Sequence, residues 1–181
     1  MITSPEVSFR PVAPADFPTL TKWLAEPHVR RFYQLTPVTL ADVEAEYGPM
    51  IEEDVTICHL AMEGPIPFAY LQAYRNADNP DWCETIGAAE GISADLFIGD
   101  PSYLHRGYGR AALSAYLNQV VQPHYPEETR AYIAHTPDNS PALACSMAVG
   151  FLPLRTFFEH GVETILLAKG MGGEAHSAAA S

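Results

Sequence analysis

The chain is short of basic side chains. Among its 181 residues, 10 lysines and arginines stand against 22 acidic residues, which gives a formal net charge of −12 at pH 7. This imbalance argues against nucleic acid as a partner, because phosphate groups bind positive charge. The same charge would attract a small cationic ligand, although acidity alone also keeps a protein soluble.

Cysteine and long apolar runs are scarce as well. Cys58, Cys83 and Cys145 are widely spaced and form no CxxC pair, so we expect neither a disulfide framework nor a metal site. No apolar run reaches the roughly 18 residues of a membrane span, and the first residues lack a secretory-signal pattern. These absences predict a cytoplasmic protein without a membrane partner. Whether it is a monomer or a homodimer stays open.

What the chain does contain fits one folded domain. Apolar residues make up 48% of the sequence, enough for a sizeable core at this length. We predict a single domain over residues 1–169. The last residues, 170–181, are small and polar without apolar periodicity, which indicates a disordered tail.

The spacing of apolar residues predicts the element order β-α-α-β-β-β-α-β-α-β-β. Phe17, Leu20 and Leu24 recur at helical spacing, and Thr39 with Asp42 forms a capping-box pattern that opens the second helix. The predicted strands cover residues 7–12, 55–62, 66–74, 93–99, 131–134, 151–158 and 163–169, and the later helices cover residues 107–121 and 138–150.

Two segments lack a regular pattern. Residues 27–37 have a loop-like composition but include Phe32 and Tyr33, large rings that either fill the core or line a pocket. Residues 75–91 are polar and acidic with one tryptophan, and this length favours a functional loop over a simple connection.

The strongest local signal is a strand, a loop and a glycine-framed helix start over residues 95–110. Gly107 and Gly109 leave room for a ligand close to the main chain, and the first N–H groups of a helix bind anions. His105, Arg106 and Arg110 add donors or positive charge. The pattern predicts a diphosphate site, unless the glycines only shape a turn.

Two other phosphate-binding devices do not match this segment. A P-loop requires Gly-Lys followed by Ser or Thr, which the segment lacks, and a dinucleotide fingerprint places its glycines directly after the first strand of a βαβ unit. Neither an NTPase nor a dinucleotide-dependent enzyme is therefore predicted.

The chain resembles the GNAT superfamily of N-acetyltransferases over about residues 7–169. The family's coenzyme A loop has the form [QR]-x-x-G-x-[GA], and here Leu104 replaces the first residue while both glycines remain. Residues 139–151 are similar to the family's N-x-x-A…GF segment, in which the asparagine contacts pantetheine. The resemblance implies acetyl-CoA as co-substrate and a coenzyme site whose residues are Phe97, Ile98, His105, Arg106, Gly107, Tyr108, Gly109, Arg110 and Asn139.

Within that superfamily the sequence is most similar to the aminoglycoside 6′-N-acetyltransferases. Residues 23–29, 39–43 and 74–91 carry this similarity. It implies that the acidic loop and the following strand face a cationic amine, with the substrate contacts Tyr74, Asp81, Trp82, Glu84 and Asp95. A carboxylate near the amine can also accept its proton, so Asp95 becomes the candidate base. Asp95 as a turn cap and Trp82 as a core ring are the alternatives.

Two departures from the family concern proton transfer. Ser146 stands where many relatives have a tyrosine that protonates the leaving thiolate, and a serine is shorter and less acidic. Ala134-His135-Thr136-Pro137 replaces an Asp-Pro pair at the end of a strand. His135 is therefore a second candidate catalytic residue, as acid or base, or else a structural histidine.

The family resemblance implies a three-layer α/β/α fold of the α+β type with a mixed, mostly antiparallel sheet. The pantetheine arm would enter where the sheet splits, and an N–H of Phe97 or Ile98 would polarise the thioester carbonyl. Direct transfer is expected, because no cysteine lies in a motif for a covalent intermediate. Two alternatives stay open: another acceptor, such as a lysine-type siderophore amine, a polyamine or a protein N-terminus, and a non-catalytic coenzyme A-binding module.

Overall fold

A single seven-stranded sheet organises the protein, whose computed structural model describes residues 5–172. The spatial order of the strands is β1-β2-β3-β4-β5-β7-β6. Every neighbouring pair is antiparallel except β4 with β5. The strands are β1 (Ser8–Pro11), β2 (Thr56–Glu63), β3 (Ile66–Arg75), β4 (Ile92–Ile98), β5 (Arg130–His135), β6 (Leu152–Glu159) and β7 (Val162–Gly170).

Helices cover both faces of this sheet, so the predicted three-layer α/β/α arrangement is confirmed. They are α1 (Phe17–Leu24), α2 (Pro27–Arg30), α3 (Leu40–Glu53), α4 (Pro80–Ile86), α5 (Tyr108–Tyr116), α6 (Gln122–His124) and α7 (Ser140–Val149). A π-helical segment, Leu117–Val121, joins α5 to α6. Within the described residues, no helix combines the length and apolar character needed to cross a bilayer.

Alternation along the strands separates two cores. On one face, Leu60 of β2, Tyr70 of β3 and Phe97 of β4 pack against the apolar sides of α1 and α3. On the other face, Leu71 and Ala94 pack against α5. Neighbouring residues of one strand pack into different cores. A slip of one residue in register would therefore move apolar side chains out of both cores.

Helix α3 begins as its sequence predicts. The Thr39 hydroxyl accepts a hydrogen bond from the Asp42 N–H at 3.3 Å, and the Asp42 carboxylate accepts one from the Thr39 N–H at 2.7 Å. This capping box satisfies two donors that a helix start otherwise leaves unpaired. Val43 and Tyr47 then face the core.

The prediction of an irregular connection over residues 75–91 is wrong in one respect, because α4 lies within it. Pro80 occupies the first turn, where its missing N–H costs nothing, and Gly87 ends the helix in a left-handed conformation at φ 60°. Ile86, the last residue of the helix, is fully buried and packs with Tyr132 and Leu166. The proline and the glycine are the sequence signals for the start and the end of this helix. The polar residues between them resemble a loop, so the seven-residue helix was not predicted.

Smaller differences concern segment ends. Residues 27–37 include the four-residue α2, and the strand predicted at residues 131–134 extends to Arg130–His135. The predicted tail, residues 170–181, lies almost entirely outside the described residues. Only Gly170, which ends β7, and the two residues after it are described.

Gly99, just after β4, has no room for a side chain. A Cβ atom built there would lie 1.9 Å from Cδ2 of the buried Trp23 indole. We predict that Gly99→Ala lowers the free energy of unfolding by about 2–3 kcal/mol, as overpacking of a filled core does. Urea denaturation followed by tryptophan fluorescence measures this change.

Gly170→Ala is the matched control, because a Cβ atom at Gly170 meets nothing within 4 Å. Its unfolding free energy should stay within about 0.5 kcal/mol of the parent protein. Equal urea midpoints for the two variants would contradict the packing of Trp23 over Gly99.

Candidate functional site

The sheet opens between its two parallel strands. β4 and β5 pair only at Ile92 with Ala131 and at Ser93 with Tyr132, although both strands continue beyond these residues. A cleft of about 980 Å³ lies where they diverge, lined by residues 95–98 on one side and 133–135 on the other. The predicted split sheet is therefore present, and its edges line this cleft.

The free edge of β4 presents main-chain groups to this cleft. Gly99 N–H donates to the Phe68 carbonyl at 2.8 Å, so Gly99 faces β3. Main-chain groups of alternate residues point to opposite sides of an antiparallel strand. Leu96 and Ile98 therefore face the gap, and Phe97 faces β3.

Phe97 and Ile98, two residues predicted to contact the coenzyme, lie at this edge of β4. Phe97 reaches the cleft through its ring, on which Tyr33 packs with ring centroids 4.6 Å apart. The Ile98 carbonyl accepts a hydrogen bond from His28 Nε2 at 2.7 Å. His28 lies in α2. The sequence motifs indicated neither this hydrogen bond nor which residues of β4 face the gap.

The loop before α5 exposes a series of main-chain donors. His105 and Gly107 have left-handed φ values of 58° and 84°, which turn successive N–H groups toward one side. The first hydrogen bond back into this loop is from Ala111 N–H to the Gly107 carbonyl, at 3.0 Å. Within the described part of the chain, no main-chain N–H from residue 105 to residue 110 makes a short, well-aligned hydrogen bond. These groups fit a diphosphate.

An aromatic cluster fixes this loop to the sheet. The ring of Tyr103 stacks on Phe68 and meets the ring of Tyr108 edge-on, with centroids 4.7 Å apart in both pairs. The hydroxyl groups of Tyr103 and Tyr108 both donate to the Glu63 carboxylate at the end of β2. This double hydrogen bond lowers the pKa of Glu63. The loop conformation therefore depends on the β2–β3 hairpin.

The predicted coenzyme residues of the loop fall into two groups. His105, Gly107, Gly109 and Arg110 line the cleft. Tyr108 points its ring into the aromatic cluster, and Arg106 is not among the lining residues. The Arg106 guanidinium instead lies 5.4 Å from the Tyr108 ring centroid and donates to the Ser102 carbonyl at 3.1 Å.

Gly109 and Asn139 bring α5 and α7 together at the cleft. A Cβ atom at Gly109 would lie 3.5 Å from Cys145 Sγ and 3.9 Å from Ile98 Cδ1, so a larger residue would fill the passage between helix and strand. Asn139 caps α7 by accepting from Ala142 N–H at 3.4 Å, and it also lines the cleft. Its amide nitrogen is left for a ligand.

Asp95 lies on the floor of the cleft. Gln72, its partner across β3 and β4, donates from Nε2 to Asp95 Oδ2 at 2.9 Å. Burial raises the pKa of Asp95, the hydrogen bond from Gln72 opposes that rise, and the negative charge of Glu159 adds to it. A carboxylate whose pKa is raised binds a proton more readily, as a general base must.

Glu159 is the lining carboxylate that sequence reasoning missed. It ends β6, and the chain returns through His160 and Gly161 to Thr164, which lines the same cleft. Arg31, in the segment after α2, lines it too. The motifs contained no signal for Glu159, because only the closing hairpin brings it toward β4.

His135 and Ser146 form a polar pair on the opposite wall. His135 Nε2 lies 2.8 Å from Ser146 Oγ, and the Ser146 side chain is buried. Burial lowers the pKa of His135 to about 4, so the ring is neutral near pH 7. A neutral histidine can share a proton with the serine hydroxyl but carries no charge into the cleft.

The other predicted substrate contacts are not among the residues that line the cleft. Asp81 and Glu84 are exposed on α4. Trp82 donates from Nε1 to Ser93 Oγ at 2.7 Å and packs edge-on against Phe157. Tyr74 is half-buried on β3, and its pKa is raised by burial and by the charges of Asp95 and Glu159, so it lies near both carboxylates.

The comparison with known families agrees with this architecture. A family model described as an acetyltransferase (GNAT) domain matches residues 13–158. The chain therefore belongs to the GNAT acetyltransferases, and the resemblance drawn from the sequence is confirmed. No curated protein matches the chain by sequence.

Solved structures with the same fold include an aminoglycoside acetyltransferase. AAC(6′)-Ib in complex with coenzyme A is 22% identical, with 91% of this chain and 95% of that chain covered and a TM-score of 0.76. An uncharacterised protein from Bacillus halodurans is 20% identical, with coverage of 91% and 83% and a TM-score of 0.81. An acetyltransferase from Thermus thermophilus is 22% identical, with coverage of 94% and 99% and a TM-score of 0.70.

The burial of His135 predicts that stability depends on pH. The pKa of His135 rises from about 4 in the folded protein to the ordinary 6.5 on unfolding, so the unfolded chain binds the extra proton. Stability is therefore complete above about pH 6.5 and is lost as the pH falls toward 4. From roughly 1.4 kcal/mol per pKa unit, we predict a loss on the order of 2 kcal/mol by about pH 4.5.

His135→Gln keeps a partner for Ser146 but does not titrate, so it should lose less stability over the same pH interval. Urea unfolding at several pH values measures the difference. His59, whose pKa burial also lowers to about 4, contributes equally to both proteins. Parallel stability curves would show that His135 does not titrate as its burial implies.

Proposed function

We propose that the protein is an acetyl-CoA-dependent N-acetyltransferase whose acceptor is a primary amine of an aminoglycoside, the 6′-amino group. One observation carries this proposal. Asp95 and Glu159 line the same cleft as His105, Gly107, Gly109 and Arg110, and the main-chain N–H groups of these four loop and helix-start residues make no well-aligned hydrogen bond. One end of the cleft suits an anionic cofactor and the other suits a cationic amine.

The cleft residues fit acetyl-CoA as co-substrate. In this proposal the diphosphate binds the N–H groups before α5, with His105 and Arg110 beside it. The pantetheine arm lies along the free edge of β4 and bonds the main-chain groups of Leu96 and Ile98, while Asn139 contacts it from α7. The co-substrate supplies a thioester whose acetyl group is open to attack.

The proposed reaction is a direct transfer. The amine loses its proton to Asp95, directly or through a water molecule, and its nitrogen then attacks the thioester carbon. A new C–N bond forms while the C–S bond breaks, and a cleft-facing N–H of β4 stabilises the charge on the carbonyl oxygen. As the C–S bond breaks, the nitrogen gives up its second proton and the released thiolate takes one up. His135 is neutral and Ser146 is a weak acid, so the pair on the far wall is proposed to relay this proton rather than to supply it: Ser146 donates to the sulfur as the pair accepts the proton that the nitrogen releases.

Two findings support an aminoglycoside acceptor. Similar folds at 22% identity have been solved with kanamycin and with coenzyme A bound. The chain also carries a net charge of −12, which attracts polycations. Because Asp81 and Glu84 do not line the cleft, the proposal now assigns substrate charge recognition to Asp95 and Glu159.

A second candidate acceptor is a lysine-type amine, as found in siderophore precursors. Arg31 lines the cleft on the same side as the aromatic rings of Phe32 and Tyr33. Such a cation can pair with a carboxylate of the acceptor, which an aminoglycoside does not carry. Acetyl-CoA consumption with kanamycin, tobramycin, polyamines and lysine derivatives separates the two candidates.

The carboxylates should have different kinetic effects. We predict that Asp95→Asn lowers kcat by about 100-fold or more, because a general base contributes roughly that factor. Glu159→Gln should mainly raise the KM for the amine, by roughly tenfold, because it removes one charge–charge attraction without removing the base. Steady-state kinetics with the best acceptor of the panel measure both.

The control is the double variant Asp81→Asn/Glu84→Gln, whose exposed side chains do not line the cleft. It should keep kcat and KM within about twofold, since exposed charges at a distance are screened by salt. A large rise in the KM for the amine in this variant would show that Asp81 and Glu84 on α4 take part in substrate recognition. If none of the amines in the panel is acetylated, the proposed function is overturned.

Gly107 provides a test of the cofactor end. Its φ of 84° is unfavourable for any residue with a side chain, although a Cβ atom would meet nothing within 4 Å. We predict that Gly107→Ala weakens coenzyme A binding by about tenfold, because even a small shift of the loop misaligns several N–H donors. Isothermal titration calorimetry measures the dissociation constant.

Gly161→Ala is the matched control, with φ at 80° and an open Cβ position in the β6–β7 turn. Both variants should lose about 1 kcal/mol of stability from the left-handed conformation, but only Gly107→Ala should lose affinity. Unchanged coenzyme A binding in Gly107→Ala would exclude the loop as the diphosphate site.

A further inference from the structure

A chain of hydrogen bonds runs from the protein core to the floor of the cleft. The Tyr70 hydroxyl donates to Gln72 Oε1 at 2.7 Å, and Gln72 Nε2 donates to Asp95 Oδ2 at 2.9 Å. Tyr70 is fully buried and lies two residues from Gln72 on the same face of β3. Gln72 pairs directly with Asp95 on β4. Three side chains of two adjacent strands therefore form one ordered unit.

The chemistry of this chain allows only one orientation of the Gln72 amide when Asp95 is charged. A carboxylate accepts hydrogen bonds and cannot donate, so the amide NH₂ must face Asp95 and the amide oxygen must face Tyr70. The Tyr70 hydroxyl is then the donor to that oxygen, and this 2.7 Å contact is shorter than its contacts with Cys58 Sγ at 3.3 Å and Met50 Sδ at 3.9 Å. Reversing the amide would set its oxygen against the carboxylate oxygen and leave two acceptors facing each other.

We infer that Gln72, held by Tyr70, is a positioning residue that keeps the Asp95 carboxylate charged and fixes its orientation toward the acceptor amine. This inference rests on the proposed function, in which Asp95 is the base. Gln72 engages Oδ2, and within the described residues Oδ1 accepts no hydrogen bond, so Oδ1 is the oxygen left for the amine. Gln72 itself does not line the cleft.

The surroundings of Asp95 explain why it needs such a partner. Burial raises its pKa, the hydrogen bond from Gln72 lowers it, and the charge of Glu159 on β6 raises it again. The nearby tyrosines are neutral at working pH, since the pKa values of Tyr33, Tyr47, Tyr74 and Tyr116 are raised by burial. The other charged or titratable groups that line the cleft are His28 and Arg31 on the α2 side, neutral His135 on β5, Cys145 on α7, and Tyr103, His105 and Arg110 at the α5 end.

Gln72→Met tests this inference, because methionine has the same unbranched shape without donor or acceptor. The acid limb of the kcat/KM profile should move to higher pH by about half a unit to one unit, since a lost hydrogen bond to the charged form raises a pKa. On that limb, below its midpoint, the shift corresponds to a loss of kcat/KM of roughly three- to tenfold. The KM for acetyl-CoA should not change. Gln122→Met, the same substitution on α6, should leave the profile where it is in the parent protein.

Two further variants separate positioning from a purely structural role. Gln72→Glu should move the acid limb further than Gln72→Met, because two carboxylates then face each other and share a proton. Tyr70→Phe should give a smaller shift in the same direction, because the amide keeps its donor but loses its fixed orientation. An acid limb that stays at the same pH in Gln72→Met and Gln72→Glu, both folded, would overturn the inference.

Failure of the proposed function would look different. Asp95→Asn should abolish the acid limb, and an unchanged limb in that variant would show that Asp95 is not the base. The carboxyl titration of Asp95 can also be followed by ¹³C NMR without any substrate. In that measurement Gln72→Met must raise the Asp95 pKa for the inference to stand, whatever the acceptor proves to be.

Discussion

The separation of β4 from β5 after Ser93 is the constraint on which the rest of the site depends. Two parallel strands that stop pairing leave main-chain donors and acceptors without a partner, and buried groups of this kind are costly unless something binds them. The cleft exists because the strands diverge, and Gly109 of α5, Cys145 of α7 and Ile98 of β4 meet at its wall. Asp95 reaches its floor because it lies on the strand that loses its neighbour.

Around this opening the protein keeps opposite electrostatic features apart. Main-chain N–H groups and Arg110 occupy the end at α5, while Asp95 and Glu159 occupy the floor beneath the β6–β7 turn. An acidic protein with a net charge of −12 repels anions in general, so a binding site for one has to be built from oriented dipoles at short range. The Tyr103–Tyr108–Glu63 cluster holds the loop before α5 in place, and the Tyr70–Gln72 pair holds the Asp95 carboxylate.

Local patterns predicted most elements because each depends on neighbours in the sequence. The capping box at Thr39 and the glycine turns at Gly107 and Gly150 are interactions over a few residues, and they occur as predicted. Helix α4 was missed because its apolar contacts are few and its polar residues resemble a loop. Asp81 and Glu84 lie on this helix with exposed side chains, and neither is among the residues that line the cleft.

The sequence alone determined the family, the order of the strands along the chain and the loop whose N–H groups suit a diphosphate, because these are encoded in contiguous residues and regular spacing. Only the tertiary structure decided which carboxylates share the cleft. Glu159 lies 64 positions after Asp95 and reaches it through the β6–β7 hairpin, and His28 reaches the Ile98 carbonyl across 70 positions. Contacts of that separation are set by sheet order and by where strands diverge, and neither is written in any local pattern.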